Sequence, residues 1–112
     1  DLVALLAREA ATADVMQAFR VAAQGELAGL LGATEEELVS SDYVGDPRSA
    51  VVDLPLVQTA GPLARVVAWY DNEWGYAHRL ADLLSLLARL RRDPEPGSAG
   101  SENRSNVPLD DN

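Results

Sequence analysis

Residues 69–76, WYDNEWGY, join an apolar stretch to a long amphipathic one. The preceding residues 64–70, ARVVAWY, are mostly β-branched or aromatic and apolar on both alternating sides, which predicts a strand covered on both faces. The period then changes within about four residues, at 71–73, so the start of the helix should leave backbone N–H groups free for a polar ligand group. The following apolar residues recur at steps of three and four and predict one helix face: Tyr76, Leu80, Leu83, Leu84, Leu87 and Leu90.

Length and charge restrict the class of protein. At 112 residues, the chain fits one domain that buries roughly two thirds of its unfolded surface. The formal net charge of −9 argues against binding to nucleic-acid phosphates or to an anionic membrane surface, since both require clustered Lys and Arg. No apolar run approaches the roughly 20 residues that span a bilayer, and the residues after Asp1 do not resemble a signal peptide. We therefore expect no nucleic-acid partner, no membrane partner and a cytoplasmic location.

The motif WYDNEWGY, followed by Arg79 and Asp82 in a leucine-rich helix, resembles the C-terminal motif of phosphorylating glyceraldehyde-3-phosphate dehydrogenases and of the related erythrose-4-phosphate dehydrogenases. The motif is specific because its eight residues include two Trp and two Tyr. The resemblance implies that Asn72 hydrogen-bonds the carboxamide of a nicotinamide ring and that Tyr76 packs near that ring. It also implies NAD or NADP as cofactor and an aldose phosphate as substrate. The alternative interpretation is that Asn72 caps the helix and Tyr76 is a core residue.

Two further stretches are similar to this family. Residues 39–43, VSSDY, resemble its Val-Ser-Ser-Asp-Phe element, and residues 45–50, GDPRSA, resemble its Gly-Asp-Pro-His-Ser-Ser element. Arg48 and Ala50 replace the His and the second Ser of that pattern, so the contacts of those two positions do not carry over. Asp46 is expected to accept a hydrogen bond from a backbone N–H two residues later, which predicts a turn.

The sequence lacks the groups that carry the family's chemistry. It contains no Cys and a single His, His78, and no G-x-G-x-x-G turn follows an apolar strand. The resemblance places that chemistry on a Cys activated by a His, which forms a thiohemiacetal and then an acyl-enzyme. Since the chain also begins at Asp1, we expect the C-terminal part of a longer polypeptide, with its N-terminal part missing, and no activity in isolation. The alternative is a truncated, non-catalytic relative that serves as a structural or assembly module.

The order of the elements predicts an α+β fold, with a mostly antiparallel or mixed sheet and helices on one face. Thr12 is the expected N-cap of the first helix. The resemblance makes residues 1–92 the C-terminal half of a glyceraldehyde-3-phosphate dehydrogenase-like catalytic domain, whose sheet packs against sister subunits in a homotetramer. Residues 93–112 are rich in Pro, Gly, Ser, Asn and acid, which predicts a disordered acidic tail. The expected strands are 2–6, 50–54 and 64–70, and the expected helices are 13–24 and 73 or 74 to 90.

Overall fold

The computed structural model describes residues 1–92, so the predicted tail 93–112 lies outside the described residues. Two short 3₁₀ helices, Ser40–Tyr43 and Leu54–Leu56, lie before and after the strand Ala50–Asp53. The longer elements are β1 (Leu2–Leu5), α1 (Thr12–Gln24), β2 (Leu31–Thr34), β3 (Ala50–Asp53), β4 (Gln58–Ala60), β5 (Leu63–Val66), β6 (Ala68–Trp69) and α2 (Asn72–Arg92). The α+β class is confirmed, and the bounds of both helices lie within two residues of the prediction.

The strands form two three-stranded sheets within residues 1–92, in the orders β1-β5-β4 and β2-β3-β6. All pairs are antiparallel except β2 with β3, as expected for a mostly antiparallel arrangement. The prediction of a single strand at 64–70 is wrong. This stretch is divided at Val67 into β5 and β6, which belong to different sheets. The carbonyl of Val67 accepts a hydrogen bond from the N–H of Asp53 at 2.9 Å. The chain therefore changes pairing partner at this residue and carries the following motif to the second sheet.

The core lies between the sheets and α1. Its buried side chains include Val52, Leu54, Val57 and Val66, and the apolar residues that the sequence places at helical spacing along α1, Val15, Met16 and Phe19, pack against them. Burial of side chains of this size stabilises a fold by about 1.5–3 kcal/mol each. The amphipathic pattern of α1 thus serves core packing, as the sequence predicts.

Thr12 does not cap α1, and this prediction is wrong. The helix begins at Thr12 itself, after Ala11, and no side chain caps it. The Thr12 hydroxyl instead forms a hydrogen bond of 2.9 Å with the hydroxyl of Thr59 in β4. The Thr12 hydroxyl, which a local capping bond would use, is therefore engaged in a contact with a residue distant in the sequence.

Helix α2 projects its apolar residues away from the described core. Of its residues, all of which the structure describes, only Gly75 is buried. Leu83 is 50 % exposed and Leu84 is 68 % exposed, so the leucine face predicted from the sequence is uncovered. Arg89, Arg91 and Arg92 lie in the last turn, where positive charge complements the helix dipole. Within residues 1–92, neither helix combines the length and hydropathy needed to cross a membrane.

Candidate functional site

A pocket of about 330 Å³ lies between the start of α2 and the turn that precedes β3. This volume is at the lower end of the range of small-molecule sites, which is about 300–1,000 Å³. Both residues predicted from the sequence, Asn72 and Tyr76, line it. The full lining is Ser49, Tyr70, Asp71, Asn72, Gly75, Tyr76 and Arg79.

The start of α2 is fixed by Asp71, the residue before the helix. Its Oδ1 accepts hydrogen bonds from the N–H groups of Glu73 at 3.1 Å and Trp74 at 2.8 Å, which is the geometry of a helix N-cap. Its Oδ2 accepts a further bond from the N–H of Gly45 at 2.9 Å. The N–H groups of Gly45 and Trp74 hold the pKa of the Asp71 carboxyl below its usual range, because they stabilise its charged form.

These bonds correct two expectations about the helix start. The N–H groups of Glu73 and Trp74 are not free for a ligand, since the Asp71 carboxylate occupies both. Asp71, and not Asn72, is the capping residue. The Asn72 side chain forms no hydrogen bond within residues 1–92. Tyr76 is 66 % exposed and is therefore not a core residue. Both halves of the alternative interpretation are wrong.

Sequence reasoning missed the role of Asp71, although a signal for it was present. Asp is among the residues preferred at a helix N-cap, and Asp71 lies two or three residues before the helix start that the sequence predicts, at 73 or 74. Its second bond, to Gly45, joins residues 26 positions apart and has no local signal.

Arg79 and Ser49 line the pocket and contact each other directly. Nη1 of Arg79 donates to the Ser49 hydroxyl at 3.3 Å, and Nη2 lies 2.9 Å from the carboxylate of Asp82. The spacing of Arg79 and Asp82, three residues apart on one helix, predicts an ion pair, and the structure confirms it. Nε of Arg79 is buried and has no hydrogen-bond partner within residues 1–92, which leaves one donor of this side chain unused. His78 lies outside the lining, with its ring against Trp74 at a centroid distance of 5.1 Å.

The turn behind the pocket is held by internal hydrogen bonds and packs closely against α2. Asp46 accepts bonds from the backbone N–H of Arg48 at 2.9 Å, as predicted, and from its Nε at 2.9 Å. The guanidinium of Arg48 holds the pKa of the Asp46 carboxyl below its usual range. A Cβ atom on Gly75 would lie only 2.9 Å from the carbonyl oxygen of Arg48. Only glycine therefore allows α2 to approach the turn this closely.

An aromatic pair supports the strand that leads into the site. The rings of Tyr43 and Trp69 are stacked with centroids 6.1 Å apart, and the indole N–H of Trp69 donates to the buried carboxylate of Asp53 at 3.0 Å. Burial raises the pKa of the Tyr43 hydroxyl. This cluster fixes the end of β6 three residues before Asn72.

Comparison with known proteins relates this arrangement to a family. Residues 1–72 match the family model described as glyceraldehyde 3-phosphate dehydrogenase, C-terminal domain. The chain belongs to the glyceraldehyde-3-phosphate dehydrogenase family. The resemblance drawn from WYDNEWGY is therefore confirmed, and the family match ends at Asn72, the first residue of α2.

Individual members of the glyceraldehyde-3-phosphate dehydrogenase family extend the similarity into α2. The chain is 48 % identical over 88 residues, 79 % of its length, to the glyceraldehyde-3-phosphate dehydrogenase of Kitasatospora aureofaciens. It is 46 % identical over 89 residues, 80 % of its length, to that of Mycolicibacterium smegmatis. It is 44 % identical over 92 residues, 81 % of its length, to a cytosolic glyceraldehyde-3-phosphate dehydrogenase of Craterostigma plantagineum. The matched residues span 26 %, 26 % and 27 % of these three relatives, about a quarter of their length.

The residues of the site contain hydrogen-bonding and aromatic groups in place of a metal-ligand set. Within residues 1–92, no group of three or more His, Asp or Glu side chains could bind a metal ion, and the sequence has no Cys. The pocket offers an amide, an aromatic ring and a guanidinium on one helix. Such groups can orient a planar, amide-bearing ring.

Proposed function

We propose that residues 1–92 work within a phosphorylating, NAD- or NADP-dependent glyceraldehyde-3-phosphate dehydrogenase, where Asn72 and Tyr76 form the nicotinamide end of the cofactor site. The observation that carries the proposal is the pocket at the start of α2, which both residues line. The Asn72 amide also supports it, because this group forms no hydrogen bond within residues 1–92 and Asp71 performs the capping.

The side chains suit a nicotinamide ring. A bound nicotinamide supplies the hydride acceptor of the reaction. The Asn72 amide can both donate to and accept from a carboxamide, so it can select one orientation of the ring. The exposed ring of Tyr76 offers an apolar face for a planar group. A volume of about 330 Å³ accommodates one end of a dinucleotide and not the whole molecule.

The remaining chemistry is assigned to residues outside this chain. The sequence has no Cys, and its single His, His78, does not line the pocket, so the nucleophile and base must come from elsewhere in the enzyme. The names of the relatives support glyceraldehyde 3-phosphate as the substrate. A homotetramer in the cytoplasm belongs to the same proposal. We expect the isolated chain to be inactive.

The test uses a full-length dehydrogenase that carries residues 1–92 of this chain in their matched position. Asn72→Ala should weaken dinucleotide binding and slow its reduction about tenfold or more, since a loosely held ring is misplaced relative to its reaction partner. Stopped-flow absorbance of the reduced cofactor measures the rate, and fluorescence titration measures the affinity.

The control is Gln17→Ala, which removes an exposed amide from α1, on an element that does not line the pocket. This variant should retain wild-type affinity and rate. Wild-type values for Asn72→Ala as well would reject the proposed role and favour a non-catalytic, structural module.

A further inference from the structure

The start of α2 is attached to the turn formed by residues 45–49 at three points. The Asp71 carboxylate accepts the N–H of Gly45, Gly75 packs on the carbonyl of Arg48, and Arg79 donates to the Ser49 hydroxyl. These contacts lie one after another along the first two turns of the helix. Four of the residues involved also line the candidate cofactor pocket: Ser49, Asp71, Gly75 and Arg79.

The turn itself is attached to the second sheet. The N–H of Ser49 donates to the carbonyl of Leu30 at 2.8 Å, directly before β2, and β3 begins at Ala50. The ion pair of Asp46 with Arg48 stiffens the turn internally. The turn is therefore a fixed reference point next to the helix.

Within residues 1–92, few other contacts orient α2. Gly75 is its only buried residue, all of α2 being described, and its leucines are exposed. Among the described residues, the position of α2 relative to the sheet thus depends on the contacts at its first two turns. Among these contacts, the bonds of Asp71 are made by a carboxylate, and charge-assisted hydrogen bonds are about twice as strong as neutral ones.

We propose that Asp71 is a positioning residue for the cofactor site, and that Gly75 assists it by allowing close approach. One carboxylate oxygen fixes the helix start and the other fixes the turn, so the helix and the turn keep one relative orientation. Asn72 is the next residue, and its amide is oriented by that arrangement. This inference rests on the proposed function, because it concerns the same pocket.

The experiment compares Asp71→Ser with Asp14→Ser in the full-length dehydrogenase carrying residues 1–92. Serine is a good N-cap, so Asp71→Ser keeps the helix start, but its side chain has no second oxygen to accept the N–H of Gly45. Asp14 is likewise an acidic residue near the start of a helix, but it lies in the first turn of α1 and does not line the pocket. Asp14→Ser therefore removes an equivalent charge and leaves the hydrogen bonds of Asp71 in place.

We expect Asp71→Ser to weaken dinucleotide affinity about tenfold in a fluorescence titration, since small misplacements at a site have large effects. Amide hydrogen exchange in residues 44–49 should become faster, while the melting temperature stays close to that of Asp14→Ser. Gly75→Ala is the second variant. It keeps the cap but displaces the turn, and it should give the same loss of affinity and the same faster exchange.

The outcomes separate the two proposals. Weaker binding and faster exchange in Asp71→Ser and Gly75→Ala, with Asp14→Ser unchanged, support the positioning role. Wild-type affinity in both variants, when Asn72→Ala is impaired, overturns the positioning role and leaves the proposed function in place. Wild-type affinity in Asn72→Ala removes the proposed function, and the positioning role with it.

Discussion

Among single residues, Tyr43 has two opposing effects on stability: its ring stabilises the fold, whereas its hydroxyl destabilises it. The ring stacks on Trp69, whereas the hydroxyl is buried and has no hydrogen-bond partner within residues 1–92. An unpaired buried hydroxyl costs about 1–3 kcal/mol. The family element that residues 39–43 resemble ends in Phe, which has the ring without this cost.

Tyr43→Phe should therefore leave the free energy of unfolding unchanged or raise it by up to about 1 kcal/mol, because the substitution removes only the unpaired group. Urea denaturation followed by tryptophan fluorescence measures this value. Tyr43→Leu is the matched control, and it should lower stability because it also removes the ring stack. A loss above about 1 kcal/mol in Tyr43→Phe would show that the hydroxyl has a stabilising partner.

Among the elements, the stability of the turn at residues 45–49 depends on the negative charge of the Asp46 carboxylate, which pairs with Arg48. The pKa of Asp46 is lowered in the folded state by its hydrogen bonds to Arg48. A carboxyl with a depressed folded pKa stabilises the fold above its unfolded pKa of about 3.9, and this contribution is lost as the pH falls through the lower folded value.

The predicted consequence is that Asp46→Asn is less stable than the wild type at pH 7, and that the difference narrows progressively below about pH 4. Thermal unfolding from pH 2 to pH 8 measures the difference between the two proteins. Asp14→Asn, which changes an exposed acid on α1, should show a smaller difference at pH 7. A difference for Asp46→Asn that stays constant down to pH 2 would contradict the assigned ion pair.

The elements also show which parts of the fold a sequence can specify. Both helices were predictable because their apolar residues recur at helical spacing, and the turn at Asp46 was predictable because its hydrogen bond spans two residues. The division of strand 64–70 at Val67 was not, because it depends on pairing with β1 and β3, far away in the chain. Local signals specify elements, whereas the choice of strand partner is a property of the whole fold.

In the candidate site as well, local sequence identifies some residues, whereas the fold alone brings the others together. Asn72 and Tyr76 were identified through a motif of adjacent residues, and the structure brings them to one pocket. The contribution of Ser49 and the bridge from Asp71 to Gly45 could not be predicted, since each joins segments that are distant in the sequence. Their geometry depends on the position of β3 beside the helix start.

At the scale of the whole molecule, the described residues expose much apolar surface. β1 lies at the edge of its sheet, and its side chains Leu2, Val3 and Leu5 are 60 %, 63 % and 75 % exposed. The leucine face of α2 is also uncovered. An exposed apolar edge strand is a template for pairing with another chain.

We therefore predict that the isolated chain self-associates, and that Val3→Lys shifts association to concentrations about tenfold higher or more by adding charge to the edge strand. Sedimentation velocity over a concentration series measures the shift. Gln17→Lys adds the same charge to an exposed position on α1 and should have little effect. A monodisperse monomer at every concentration would contradict the prediction.

The central claim is that the Asn72 amide orients a nicotinamide ring at the start of α2. The most direct test is a crystal structure, with dinucleotide bound, of a full-length dehydrogenase that carries residues 1–92. We expect the side-chain amide of Asn72 to lie within about 3.2 Å of the nicotinamide carboxamide, with Tyr76 beside the ring. An Asn72 amide directed away from the ring, with no polar atom of the cofactor within hydrogen-bonding distance, would contradict it.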